Sequence, residues 1–157
     1  MRKHFVLLLA LLLCITLLSG CSAKETTAPH SFGDLTLRLP VEFLDLSDAS
    51  YAAEYDFLFG MDPVIISGLR DEKALLASFD LDIQRYGQLV IEINGLSCDL
   101  TQKDGIWNFT YEAEGYTYMV TLQETKDAFW TVQAYCPTEN YAKAKKDMWN
   151  ILSSVTV

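Results

Sequence analysis

The chain has 157 residues, and those best suited to chemistry are two close aspartate pairs, two histidines and four cysteines. Asp80 and Asp82 stand within SFDLDI, and Asp45 and Asp48 bracket DLSD. Carboxylates at such spacing can hold a hard cation, but neither pair is followed by the glycine and distal glutamate of a calcium loop. Both pairs are therefore expected on solvated helix or loop faces, and no metal is expected. His4 lies in an apolar N-terminal segment and His30 in a polar stretch ahead of the strands, so the folded domain is expected to lack imidazole. Serine and cysteine nucleophiles then have no histidine base, and zinc loses its commonest ligand. No nucleophile elbow, P-loop or dinucleotide fingerprint occurs. Nothing points to an enzyme working with Asp, Glu, Tyr and Lys alone, so a non-catalytic protein without a cofactor is expected.

Cys21 stands apart from the other thiols because of what precedes it. Arg2, Lys3 and His4 form a basic head, and Phe5 to Leu18 is apolar except at Cys14 and Thr16. That is the charged n-region and h-region of an export signal. The run is shorter than the ~20 residues that a spanning helix needs. Leu18, Ser19, Gly20 and Cys21 resemble the lipobox of bacterial lipoproteins. The small Ser19 and Gly20 let a peptidase approach, and the thiol is a soft nucleophile. The resemblance implies cleavage before Cys21, diacylglycerol on its sulfur, acyl chains of the palmitate class, and a cell-membrane location on the extracytoplasmic face. An ordinary secretory signal and an uncleaved signal anchor are the alternatives. Two acyl chains make attachment stable at ~0.8 kcal/mol per buried methylene, whereas one leaves it marginal.

The stretch SAKETTAPHSFG, from Ser22 to Gly33, is polar and contains Pro and Gly, as a solvated tether should. At ~3.5 Å per residue it would hold the domain within about 40 Å of the membrane. The expected organisation is a signal peptide over 1–20, the acylated cysteine and tether over 21–33, and one domain over 34–157. Cleavage leaves 137 residues, enough for one core and too few for a bilobed solute receptor. Ten basic residues then face 21 acidic ones, a charge of −11, which repels nucleic acid and anionic headgroups. No nucleic-acid partner is expected.

From Leu89 onward, apolar and polar residues alternate between turn signals, as in an antiparallel meander. The expected strands are Leu89 to Ile93, Leu96 to Gln102, Ile106 to Ala113, Tyr116 to Gln123 and Trp130 to Cys136. Asn94-Gly95 and Asp104-Gly105 are favoured type I′ dipeptides that set hairpin register, and Glu114-Gly115 continues it. An odd-length loop around Lys126-Asp127 would bring Leu122, Val120 and Tyr118 opposite Val132, Ala134 and Cys136. One face is then apolar throughout. On that register Cys98 and Cys136 share a rung three strand spacings apart, about 14 Å, too far for a disulfide. Two helices are expected over the apolar side. One follows Asp71 and Glu72 with the stripe Leu75, Phe79, Ile83 and Tyr86; the other follows an N-cap at Thr138 with Tyr141, Ala144, Met148, Trp149 and Leu152. Short strands are expected at Leu35 to Leu39, Tyr55 to Phe59, Val64 to Leu69 and in the terminal SSVTV. The other face carries Thr110, Thr121, Phe129, Gln133 and Tyr135, whose hydroxyls, amide and rings could bind a cell-wall glycan or small ligand.

This order of elements resembles the PsbP/Mog-type fold: an opening FGDLTLRLP strand, two strands, a helix, a meander, and a helix leading to a short last strand. The resemblance spans roughly Phe32 to Val157 and implies an α+β fold and a non-catalytic accessory or protein-binding role. It carries no functional residue onto this chain. The lipobox reading has a direct test: in a bacterial host fed labelled fatty acid, the wild-type chain takes up label and Cys21→Ala does not, and label in that variant overturns the assignment.

Overall fold

The computed structural model describes residues 26–50 and 52–157. The expected signal and Cys21 lie outside them. Among the described residues there are nine strands: β1 (Thr27–Phe32), β2 (Leu35–Pro40), β3 (Leu44–Asp45), β4 (Phe57–Met61), β5 (Val64–Glu72), β6 (Thr101–Lys103), β7 (Ile106–Ala113), β8 (Tyr116–Glu124) and β9 (Ala128–Pro137). The α-helices of the described residues are α1 (Ile83–Ile93) and α2 (Thr138–Leu152). Strands β3 to β9 form one antiparallel sheet in the order β3-β4-β5-β9-β8-β7-β6, and β1 pairs with β2 as a separate hairpin. No helix of the described residues is long and apolar enough to cross a membrane.

Turn chemistry sets much of the register. Asp104-Gly105 and Glu114-Gly115 hold positive φ at both positions, 54° and 83° in the first and 52° and 83° in the second, as type I′ loops require. Lys103 therefore faces Ile106, and Tyr111 faces Tyr118, as the sequence predicts. The β8–β9 connection differs. Thr125 N donates to Ala128 O at 2.9 Å and Ala128 N to Thr125 Oγ1 at 3.0 Å, so Lys126-Asp127 is a two-residue loop of even length. Leu122 then faces Thr131 and Tyr118 faces Tyr135, one residue from the expected pairing. A one-residue slip moves every side chain of a strand to the other face.

Both faces of β9 are consequently buried. Trp130, Val132, Ala134 and Cys136 join Met119, Phe57, Phe59 and Ile66 under α2 and the β1–β2 hairpin. Phe129 points to the opposite face with Phe109, Val120 and Leu122, beneath Tyr86 of α1. One helix thus covers each face, where both were expected on one side. Trp130, Phe129 and Val132 are at most 1% exposed, and each such burial is worth about 1.5–3 kcal/mol.

The N-terminal boundary also moves. Thr27–Phe32, expected within the tether, pairs with β2 from Thr27↔Pro40 to Phe32↔Leu35. Phe32 stacks on Phe57 with centroids 4.2 Å apart, and the His30 ring edge meets Phe59 at 4.8 Å, so the domain does contain an imidazole. The alternation Leu35, Leu37, Leu39, all fully buried, gives this hairpin an apolar face to lay on the core.

The expected strand Leu89 to Ile93 is the end of α1. Ile83, Tyr86, Gly87, Val90 and Ile91 recur at helical spacing, and that longer period prevails over the short alternation. Asp82 Oδ1 caps the helix by accepting from Arg85 N at 2.7 Å. Gly95, with φ +61°, ends it: Gly95 N donates to Glu92 O and Leu96 N to Ile91 O, a Schellman arrangement in place of a hairpin. Asp71 and Glu72 belong to β5, and Leu75 and Phe79, expected on a buried helical stripe, are 78% and 58% exposed. The helix α2 begins at Thr138 with Pro137 in the cap position, not Thr138. The terminal strand reduces to the bridge Thr36↔Thr156.

Cys98 and Cys136 are free and lie on opposite faces, so the sheet itself separates them and the shared rung is replaced. Burial pushes both thiols up from their ordinary pKa, with Asp99 adding to the effect at Cys98. Alkylation of the unfolded, non-reduced chain should add one group at each, and protection of both would contradict this packing. A Cβ at Gly68 would collide with the Phe57 ring. Gly68→Val should therefore cost about 1–3 kcal/mol in urea unfolding, and no loss would show that this contact relaxes freely.

Candidate functional site

The five expected binding residues do not form one surface. Thr110 and Thr121 lie on the α2 side, Thr110 exposed and Thr121 fully buried. Phe129, Gln133 and Tyr135 lie on the α1 side, because the β9 register differs by one. Phe129 is 1% exposed and stacked on Tyr86 at 4.6 Å, so it cannot meet a ligand. Gln133 and Tyr135 remain, and around them the α1 face gathers residues expected in the core.

Tyr111, Tyr118 and Tyr135 come from adjacent strands at one register position. The rings stack in succession, Tyr111 on Tyr118 at 4.7 Å and 4°, and Tyr118 on Tyr135 at 4.9 Å and 24°. Those distances match the ~4.8 Å spacing of strands, so the sheet itself sets the ladder. Tyr116 meets Tyr135 edge-on at 6.1 Å and is 38% exposed. The ladder rings are half-buried, with α1 packed lower on the same face over Phe109, Leu122 and Phe129.

Beside the ladder, a cleft of about 310 Å³ opens between α1 and the 3₁₀ turn Ala52–Glu54. Phe109 and Val120 lie on its sheet floor, Tyr55 and Tyr111 bring rings, and Gln133 and Thr131 are its recessed polar groups. Gln133 Nε2 donates to Ser67 Oγ at 2.9 Å, which fixes the amide. At the rim Glu54 is exposed, and the Glu114 charge adds to the effect of burial and of Tyr55 in pushing Tyr118 up.

The polar groups nearest to α1 are already engaged. Tyr86 Oη donates to Asp71 Oδ2 at 2.6 Å and shares a 2.9 Å hydrogen bond with Thr131 Oγ1. Burial, with the Asp71 hydrogen bond, holds this phenol protonated well above its ordinary range, so it anchors α1 to β5 and β9. Asp82 is spent on the helix cap, and Asp45 Oδ1 accepts from Ser47 N at 2.9 Å. The arrangement offers stacking, apolar contact and a few fixed hydrogen-bonding groups, which are the means of recognition. No short sequence motif marks it, because its residues are scattered from Glu54 to Tyr135; the tyrosine alternation on β7 and β8 was its one visible sign.

No family model matches the sequence, and no curated protein matches it. Among solved structures it is similar to the cyanobacterial PsbP protein CyanoP of Synechocystis sp. PCC 6803, with a TM-score of 0.56, 12% identity, and coverage of 88% of this chain and 97% of that one. It is also similar to a protein of Bacteroides thetaiotaomicron VPI-5482, with a TM-score of 0.47 and 15% identity over 84% of this chain and 48% of that one. A Mog1 variant gives a TM-score of 0.45 and 13% identity over 83% and 95%. The α+β fold is PsbP-like, by its likeness to CyanoP, and at this identity the likeness is one of fold alone.

Burial, and then Tyr118, pushes Tyr111 from its ordinary value of 10.0 up to about 12. The fold favours the neutral phenol, so its contribution to stability is complete below about pH 10 and is lost as pH rises towards 12. Urea unfolding followed from neutral pH into this range should show stability falling, with a shallower fall in Tyr111→Phe. Equal slopes would mean that the ladder does not couple to alkaline unfolding.

Proposed function

We propose that this chain is a membrane-anchored, extracytoplasmic lipoprotein whose domain is a non-catalytic accessory component that binds a partner protein through the tyrosine face. The observation that carries the binding role is the ladder Tyr111, Tyr118 and Tyr135, three stacked rings half-open to solvent beside a recessed cleft. Tyrosine brings large contact area at low entropic cost and is enriched among the residues that dominate interfaces. Glu54 at the cleft and the Glu114 charge acting on Tyr118 favour a partner surface bearing Lys or Arg, which can also lie over the rings. The anchor rests on the residues around Cys21. Because β1 starts at Thr27, six residue steps separate it from the thiol, which limits that separation to about 20 Å.

A glycan or small-ligand module is the second reading. It is favoured by Gln133 and Thr131, recessed between the rings of Tyr55 and Tyr111. Both readings meet in one experiment. The full chain, solubilised from membranes in neutral detergent, should retain a stoichiometric protein partner, and Tyr111→Ala with Tyr118→Ala should release it while circular dichroism shows the fold retained. Tyrosine-dependent capture of peptidoglycan fragments instead would establish the second reading, and turnover of a substrate by the purified chain would overturn both.

A further inference from the structure

The cationic residues of this acidic chain are unevenly placed. Lys145 and Lys146 lie on α2, and β6 brings Lys103 to the same region, across the sheet from the tyrosine ladder. These three lysines line one cavity of about 430 Å³ with Trp149, Met119 and Asn108. No carboxylate lines it; Asp147, next on the helix, lines the two grooves towards Pro40 instead. Salt bridges among the described residues are Arg70–Glu72 and Lys73–Glu124, and neither involves these lysines. The Lys103 ammonium sits 4.0 Å from the Trp149 ring centroid, which joins β6 to α2 and fixes the indole as a wall. Asn108 spends its amide N–H groups on Thr101 O and Ile106 O and contributes shape.

Three lysines line one cavity, and in a chain rich in Asp and Glu no carboxylate lines it with them. An anion in the cavity lies within about one Debye length, ~8 Å at physiological ionic strength, of all three. Lysine binds phosphate as a point charge, with donors free to rotate onto the oxygens. Phosphate offers more anionic oxygens to three lysine side chains than the two of a carboxylate. Met119, 9% exposed, and the Trp149 face offer apolar contact beside it. We propose that Lys103, Lys145, Lys146 and Trp149 form a site for the phosphate group of an anionic ligand, with the adjoining carbons of that ligand against Trp149 and Met119. The site is independent of the tyrosine face and does not require Cys21 to be acylated. The net charge of the chain argues against anionic partners in general; this cavity is where that average fails.

The test titrates the full chain, in neutral detergent, with glycerol phosphate and separately with micelles doped with phosphatidylglycerol, using phosphatidylcholine as control. The readout is the indole N–H resonance of Trp149, with those of Trp107 and Trp130 as internal references. A saturable shift of Trp149 alone is expected. It should weaken about tenfold or more in Lys145→Glu with Lys146→Glu, and should weaken as salt rises. Lys146→Ala should give a smaller loss with the remaining spectrum unchanged. Response to glycerol phosphate assigns a soluble source, and response to the doped micelles alone assigns a lipid headgroup. No shift with either, a shift that the double variant retains, or tighter binding of a polyglutamate peptide overturns the phosphate site.

Discussion

Both faces of β9 are buried, and the packing on either side of the sheet follows from the register that buries them. Thr125 and Ala128 close on each other around Lys126-Asp127, and that even loop fixes Glu124 against Phe129 and every later pair. Strand β9 lies at the centre of the seven-stranded sheet, so its alternate side chains enter two different cores. An odd loop would send Trp130, Val132 and Cys136 to the α1 side and leave α2 without its apolar floor. The Trp130 indole extends the constraint to the N-terminal hairpin by donating to Asp34 Oδ1 at 3.2 Å. Hydrogen bonds from Thr125 and Trp130 hold the Asp34 carboxyl below its ordinary pKa.

Two cores give two unlike outer regions. On the α2 side the β1–β2 hairpin and α2 cover the sheet, and the polar remainder gathers lysine around Trp149. On the α1 side an eleven-residue helix covers less of the sheet, and the tyrosine ladder stands in the uncovered part. Tyrosine suits that position, since its ring can stack on a neighbour while its hydroxyl reaches water. Both regions use side chains from non-adjacent segments, and each rests on strands whose register is fixed by tight loops.

The polar chemistry of the domain is largely consumed in holding it together. Tyr86, Asp71 and Thr131 tie α1 to the sheet, Gln133 is fixed by Ser67, and Asp82 caps a helix. Lys73 bonds Glu124 and the Thr125 carbonyl, both at 2.7 Å, beside the loop that sets the β9 register. A surface of stacked rings and a recessed cleft remain on the α1 side.

Local features were legible in the amino-acid sequence. Asp104-Gly105 and Glu114-Gly115 specify their hairpins because positive φ at two successive positions admits few residues, and β7 and β8 follow. The α+β class and the stripe of α2 were legible for the same reason, since periodicity needs no partner to be seen. Asn94-Gly95 was not, because glycine at positive φ serves a helix end and a hairpin equally, and the choice lies with Tyr86 and Val90 meeting the sheet. Nor was the β9 face, because the apolar set Trp130, Val132, Ala134 and Cys136 of AFWTVQAYC can meet either face of β8, and only the length of the Lys126-Asp127 loop chooses between them. Tertiary structure decided that register, and with it which residues meet: Phe129 beneath Tyr86, Tyr135 beside Tyr118, and Lys103 over Trp149, from chain positions that no local pattern connects.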